Sequence, residues 1–139
     1  NRFPALFAQK WAEVFAPKLG LAPSPEATSL AQDLLVQMQE AKADFTNTFS
    51  ALDATAETFP DWHANWRALN PNDALWRATN PSVIPRTHMI EAVITAATDG
   101  DFAPFHDMLK AVSDPFTPRE AYMQPPEPHE MVKQTFCGT

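Results

Sequence analysis

Large apolar side chains recur along this chain at three- and four-residue steps, and each run is bounded by proline, glycine or a short polar stretch. That period places them along one side of an α-helix and does not fit the two-residue alternation of a strand. In "PALFAQKWAEVFAPKLGL" the residues Leu6, Phe7, Trp11, Val14 and Phe15 share a face, with Pro4 suited to a first turn and Gly20 to a stop. Pro17 threatens the end of that helix. A second helix carries Leu30, Leu34, Leu35 and Met38, with Pro25 at its start. A shorter third carries Phe45, Phe49 and Leu52, and a fourth carries Trp62, Trp66 and Leu69 behind Asp61 as cap. A short helix follows around "NDALWRAT". "NPSVIP" is then extended, because a residue that precedes proline avoids the α region.

"THMIEAVITAATDG" is the clearest helix, with Met89, Ile90, Val93 and Ile94 on its apolar side and Gly100 at its stop. "DFAPFHDMLKAV" is the next, with Asp101 as cap. Five of the fourteen prolines fall from Asp114 onward, so residues 114–139 read as an extended Pro-rich tail over a helical body of about residues 1–113. The expected fold is all-α: one irregular multi-helix domain, with no strand of convincing length and no internal repeat.

Composition fits that reading. The chain has 139 residues, 45% of them apolar, including ten Phe and four Trp, which is enough to build a core without staples. Seventeen acidic against ten basic side chains give a net charge of −7, the wrong sign for a nucleic-acid partner. No apolar run is long enough to cross a membrane, and no signal peptide precedes the first helix. The chain starts at Asn1 within what already reads as folded protein, so we expect it to be part of something longer.

Chemistry-bearing patterns are sparse. A phosphate cradle needs clustered glycines, whereas Gly20, Gly100 and Gly138 are isolated, and no kinase-type motif occurs. His88 and Glu91 lie at i, i+3 on one helical face, a spacing used in carboxylate-bridged metal bundles, but no second such pair joins them. We therefore expect neither a metal nor a catalytic residue here. The single cysteine, Cys137, sits third from the end in "TFCGT" and cannot form an internal disulfide.

The blocks "NPSVIPRTHMIEAVITAATDGDFAPFHDMLKAVSDPF", "YMQPPEP" and "TFCGT", with "NRFPALFAQKWAEVFAPKLGL" and "DFTNTFSAL" ahead of them, resemble the C-terminal region of the selenoprotein O (SelO/YdiU) family. Thr87 departs from the Asn that is common in the family after "IPR". The resemblance implies a parent enzyme with a kinase-like core that transfers AMP from ATP, with Mg or Mn, to protein hydroxyls. Its catalytic and nucleotide-binding residues would lie upstream of this chain, and none maps onto it. The implied partners are that upstream core and the parent's protein substrates, and the implied location is the bacterial cytoplasm. Some members carry selenocysteine near the C-terminus, and Cys137 stands at the comparable place, which suggests a redox-regulatory thiol. A catalytic lobe on one side would leave an apolar patch gathering Phe3, Phe7 and Trp11. The alternative is an independent helical interaction module with no catalytic parent.

Overall fold

The structure, a computed structural model, describes residues 2–131. Those residues form helices joined by turns, with no strand among them. The chain divides into two compact units after Pro81.

In the first unit α1 (Phe3–Lys18) starts with Pro4 in its first turn and keeps Pro17 inside its last turn. Gly20, at φ +71°, ends it: Leu21 N–H donates to the Ala16 carbonyl at 2.9 Å and Gly20 N–H to the Pro17 carbonyl at 2.9 Å. Helix α2 (Pro25–Ala41) begins as expected, with Ser24 Oγ accepting from Ala27 N–H at 3.1 Å. It buries Ala27, Leu30, Ala31, Leu34 and Met38, and it stops at Lys42, which is left-handed at φ 53°.

The segment read as one third helix is broken into pieces. α3 (Phe45–Ser50) is capped by Asp44, a 3-10 turn spans Leu52–Ala54, and α4 (Thr55–Thr58) follows. α5 (Pro60–Ala68) starts earlier than the Asp61 cap implied. Pro60, with no N–H to satisfy and φ already helical, takes the first helical position, and Asp61 falls in the first turn. α6 (Asp73–Thr79) is capped by Asn72 Oδ1, which accepts from Leu75 N–H at 3.0 Å.

The core gathers Leu19, Leu30, Leu34, Met38, Phe49, Leu52, Phe59, Trp62, Trp66 and Trp76. A buried indole N–H needs an acceptor, and each of the three buried tryptophans finds one. Trp62 donates to the Leu30 carbonyl at 2.8 Å, Trp66 to the Leu19 carbonyl at 2.8 Å, and Trp76 to Asp73 Oδ1 at 3.0 Å. The first two bonds tie α5 to α2 and to the end of α1, and the third closes within α6.

In the second unit α7 (Thr87–Thr98) packs against α8 (Ala103–Val112). Asp101 does serve the start of α8, accepting from Ala103 N–H at 3.0 Å. Ser82 and Val83 N–H both donate to the Pro115 carbonyl, at 2.9 and 3.0 Å, tying the start of the unit to the stretch after α8. Within the stretch read as an extended tail, Glu120–Met123 form a four-residue turn of helix, α9. Pro118 and Pro125 bracket it, so proline limits its length without preventing it. The rest of 114–131 consists of turns and non-helical backbone.

Candidate functional site

Helix α1 is apolar on two sides. At 100° per residue, Trp11, Phe15, Ala16 and Leu19 look inward, with Trp11 and Phe15 stacked at 4.2 Å and Phe15 edge-on to Phe49 at 6.1 Å. Phe3, Leu6, Phe7 and Val14 occupy the opposite arc and are 69, 53, 60 and 56% exposed. Phe3 and Phe7 stack on each other at 6.2 Å. The sequence reading placed Leu6, Phe7 and Val14 with Trp11 and Phe15 on one face; the structure separates them. Phe3 and Phe7 are exposed as the expected patch requires, while Trp11 is half-buried and bridges the two sides.

The polar edge of this face is held by its own pairs. Lys10 Nζ reaches Glu13 at 2.6 Å and Gln9 Nε2 donates to the same carboxylate at 2.8 Å. Those two hydrogen bonds, Lys10's first, hold the Glu13 carboxyl below its ordinary pKa. On another part of the unit's surface Arg67 and Arg77 both bind Asp53, and Arg67 also binds Asp73 at 2.7 Å. The guanidinium groups lie over the Trp66 and Trp76 rings, 4.3 and 4.1 Å from the centroids. Asp73 is held below its ordinary pKa, first by the Trp76 indole and then by Arg67. Every charge in this cluster has an opposite partner, so it clamps α5 to α6 and offers no net charge to a ligand.

In the second unit an open groove of about 380 Å³ is lined by Pro85, Arg86, His88, Pro126, Glu130 and Met131. It gathers no third metal-capable side chain. Among the described residues no group of three His, Cys, Asp or Glu could hold a metal ion, and the His88–Glu91 pair stays without the further ligands it would need. No helix among the described residues is long and apolar enough to cross a membrane. Cys137 lies outside the described residues.

What sequence reasoning missed here is the width of the α1 apolar arc. The signal was present: at 100° per residue Leu6 lies about 180° round the helix from Phe15, so one stripe cannot hold the whole set.

No family model matches the chain. It is, however, similar along its whole length to proteins named protein nucleotidyltransferase YdiU. The one from Roseobacter denitrificans is 44% identical over 154 positions, covering 100% of this chain and 33% of that protein. The one from a Ruegeria species is 41% identical, with 100% and 33% covered. The one from Alcanivorax borkumensis is 39% identical, with 99% and 33% covered. The fold and these matches define the class first: an all-α region from the C-terminal third of protein nucleotidyltransferases. The chain corresponds to the C-terminal third of the SelO/YdiU family. It spans about a third of the length of the relatives it matches.

Proposed function

We propose that this chain is the non-catalytic C-terminal region of a protein adenylyltransferase, bracing an upstream catalytic core through the outward face of α1. The observation that carries this reading is that face itself. A helix apolar on both sides is built to be covered on both sides, and only one side is covered within its own unit. The relatives are about three times as long, so they have ample chain upstream of the matched third to provide such a cover. Burying the exposed parts of Phe3, Leu6, Phe7 and Val14 would contribute roughly 4–7 kcal/mol before ordering costs, enough to hold two parts of one chain together. In this reading ATP and Mg or Mn bind only to the upstream core, and the AMP acceptors are hydroxyl groups of other proteins.

Cys137 has a place in the same proposal. By its likeness in position to the selenocysteine of some family members, it forms a reversible disulfide with a cysteine of the upstream core. Two thiols then lose two protons and two electrons to an oxidant such as peroxide. A faster-migrating non-reducing band, abolished by Cys137→Ala, is the expected sign; its absence after peroxide treatment removes this part of the proposal.

The bracing role is tested with Leu6→Glu and Phe7→Ser together. In the full-length protein the double variant should lower the melting temperature and AMP transfer to a generic protein acceptor. In the 139-residue chain alone, where this face is exposed, the same changes should move stability by no more than about 0.5 kcal/mol. Unchanged melting and unchanged AMP transfer in the full-length variant would refute the bracing role.

A further inference from the structure

The second unit is poorly supplied with a core. Helix α7 buries none of its 12 residues, and its apolar side chains Met89, Ile90 and Val93 reach only partial burial. Among the described residues of the unit, the buried apolar side chains are Val83, Met108 and Ala111. On α8 the buried pair Met108 and Ala111 lie about 60° apart at 100° per residue. Phe102, Phe105 and Leu109 share a second arc of about 60°, turned about 120° from that pair. They are 56, 46 and 50% exposed. Val112, partly buried, falls between the two sets, so the apolar arc of α8 runs unbroken from its covered side to its exposed side.

Single apolar side chains on a surface need no partner, but three in register and continuous with a covered side form a face. A helix with so wide an apolar arc is built to pack on two sides, and its neighbour α7 covers one. The size of the exposed stripe decides what can cover the other. About half of each of three large side chains comes to roughly 300 Å², against about 800 Å² per partner in a standard interface between separate molecules. A free partner or a second copy would therefore be held weakly. An occupant on the same polypeptide needs far less area, because tethering keeps it at a high effective concentration. Such an occupant has ample length: the chain matches the C-terminal third of its relatives, which leaves about two thirds of a parent ahead of it. We propose that Phe102, Phe105 and Leu109 of α8 form a second docking face, in the second unit, and that its occupant is the upstream part of the same polypeptide. The proposal rests on reading the chain as one end of a longer protein, and it does not depend on the role given to α1.

The test puts the photo-cross-linker p-benzoylphenylalanine in place of Phe105 in the full-length protein, which keeps an aromatic ring at that position. Isotopically light and heavy protein are mixed, irradiated and digested, and the cross-linked peptides are read by mass spectrometry. The expected product joins α8 to a peptide upstream of the matched third, light to light and heavy to heavy. Light-to-heavy products would make the occupant a second copy. Products confined to the 139 residues would make it this chain itself, and reaction with solvent alone would make the stripe ordinary surface. Each of these three results overturns the proposal. In parallel, Phe105→Ser with Leu109→Ser should speed hydrogen exchange in the cross-linked upstream peptide by at least about threefold, which an effect confined to α8 would not do. An unchanged rate there also overturns the proposal. The two docking faces fail separately: an inert Leu6→Glu and Phe7→Ser variant removes the role of α1 and leaves the α8 cross-link standing, and loss of the cross-link leaves the α1 result standing.

Discussion

Replacing Asn80 with alanine should cost the first unit about 2–4 kcal/mol, although the change removes only a small polar side chain. The reasoning starts from the end of α1, where the last carbonyls of any helix lack partners within it. Here each finds one outside: Ala16 and Pro17 accept from Leu21 and Gly20 N–H, Leu19 accepts from the Trp66 indole, and Lys18 accepts from Asn80 Nδ2. The Trp76 carbonyl accepts from both Nδ2 and N–H of Asn80, so it keeps one bond in the variant. The Lys18 carbonyl loses its side-chain donor. Three bonds are lost, those from Nδ2 to the Lys18 and Trp76 carbonyls and that from Lys18 Nζ to Oδ1; at about 1 kcal/mol each they come to about 3 kcal/mol, inside that range. All four tryptophans lie in the first unit, so their fluorescence during urea or heat unfolding reports that unit by itself. For a unit of this size the loss should lower the melting temperature by ~10 °C or more. Asn65→Ala, on the exposed side of α5, serves as control and should stay within about 0.5 kcal/mol of wild type. An Asn80→Ala shift no larger than that of Asn65→Ala would refute the claim that this amide ties α1 to α6.

Gly20→Ala should cost at least about 2 kcal/mol by the same fluorescence assay, since a left-handed φ and a steric clash both oppose it. A Cβ there would sit 2.5 Å from the Asn72 carbonyl oxygen, whereas at Gly100 it would meet nothing within 4 Å. For Lys18→Met, burial depresses the folded pKa below 10.5, so between those two values the unfolded chain binds more protons and wild-type stability rises with pH. The methionine variant should therefore compare best with wild type near about pH 7 and lose ground toward pH 10.5; a difference constant with pH would contradict this. In hydrogen exchange the α7 amides should exchange faster than those of α2, because α7 buries none of its residues and α2 buries five; equal protection would show that α7 is held by something other than its own packing.

Helix positions in this chain were legible wherever a cap, stop or proline coincided with the apolar period, as at Pro25 and at Gly20. They were less legible where two signals competed. Pro60 moved the start of α5 ahead of Asp61, and Ala51, at φ −135°, broke the run from Phe45 to Leu52 even though Leu52 still reaches the core. The sidedness of α1 was not legible, because hydropathy cannot tell an inward phenylalanine from an outward one when both arcs are apolar. Phe15 packs on Phe49 while Phe7, two turns away, faces solvent. The Lys18–Asn80 contact was hidden for a different reason: its partners stand 62 positions apart, and neither residue type announces the other.

The buried polar atoms of the first unit bear on what kind of work it can do. Trp62, Trp66, Trp76 and Asn80 each spend their donors on a carbonyl or carboxylate of another turn or another helix. The cationic side chains Arg67 and Arg77 are committed in the same way, to Asp53 and Asp73. Groups used so are unavailable to orient a substrate, whose recognition needs convergent polar atoms facing an open cavity. Among its exposed apolar side chains, those of α1 are gathered on one face, and surface of that kind acts by being covered. On the proposed reading, a scaffold stiffened internally by its polar groups and carrying an apolar face on α1 holds a neighbouring lobe in a fixed pose. The double substitution at Leu6 and Phe7 tests that reading directly, because it alters the α1 face and leaves the unit's side-chain hydrogen bonds and ion pairs in place.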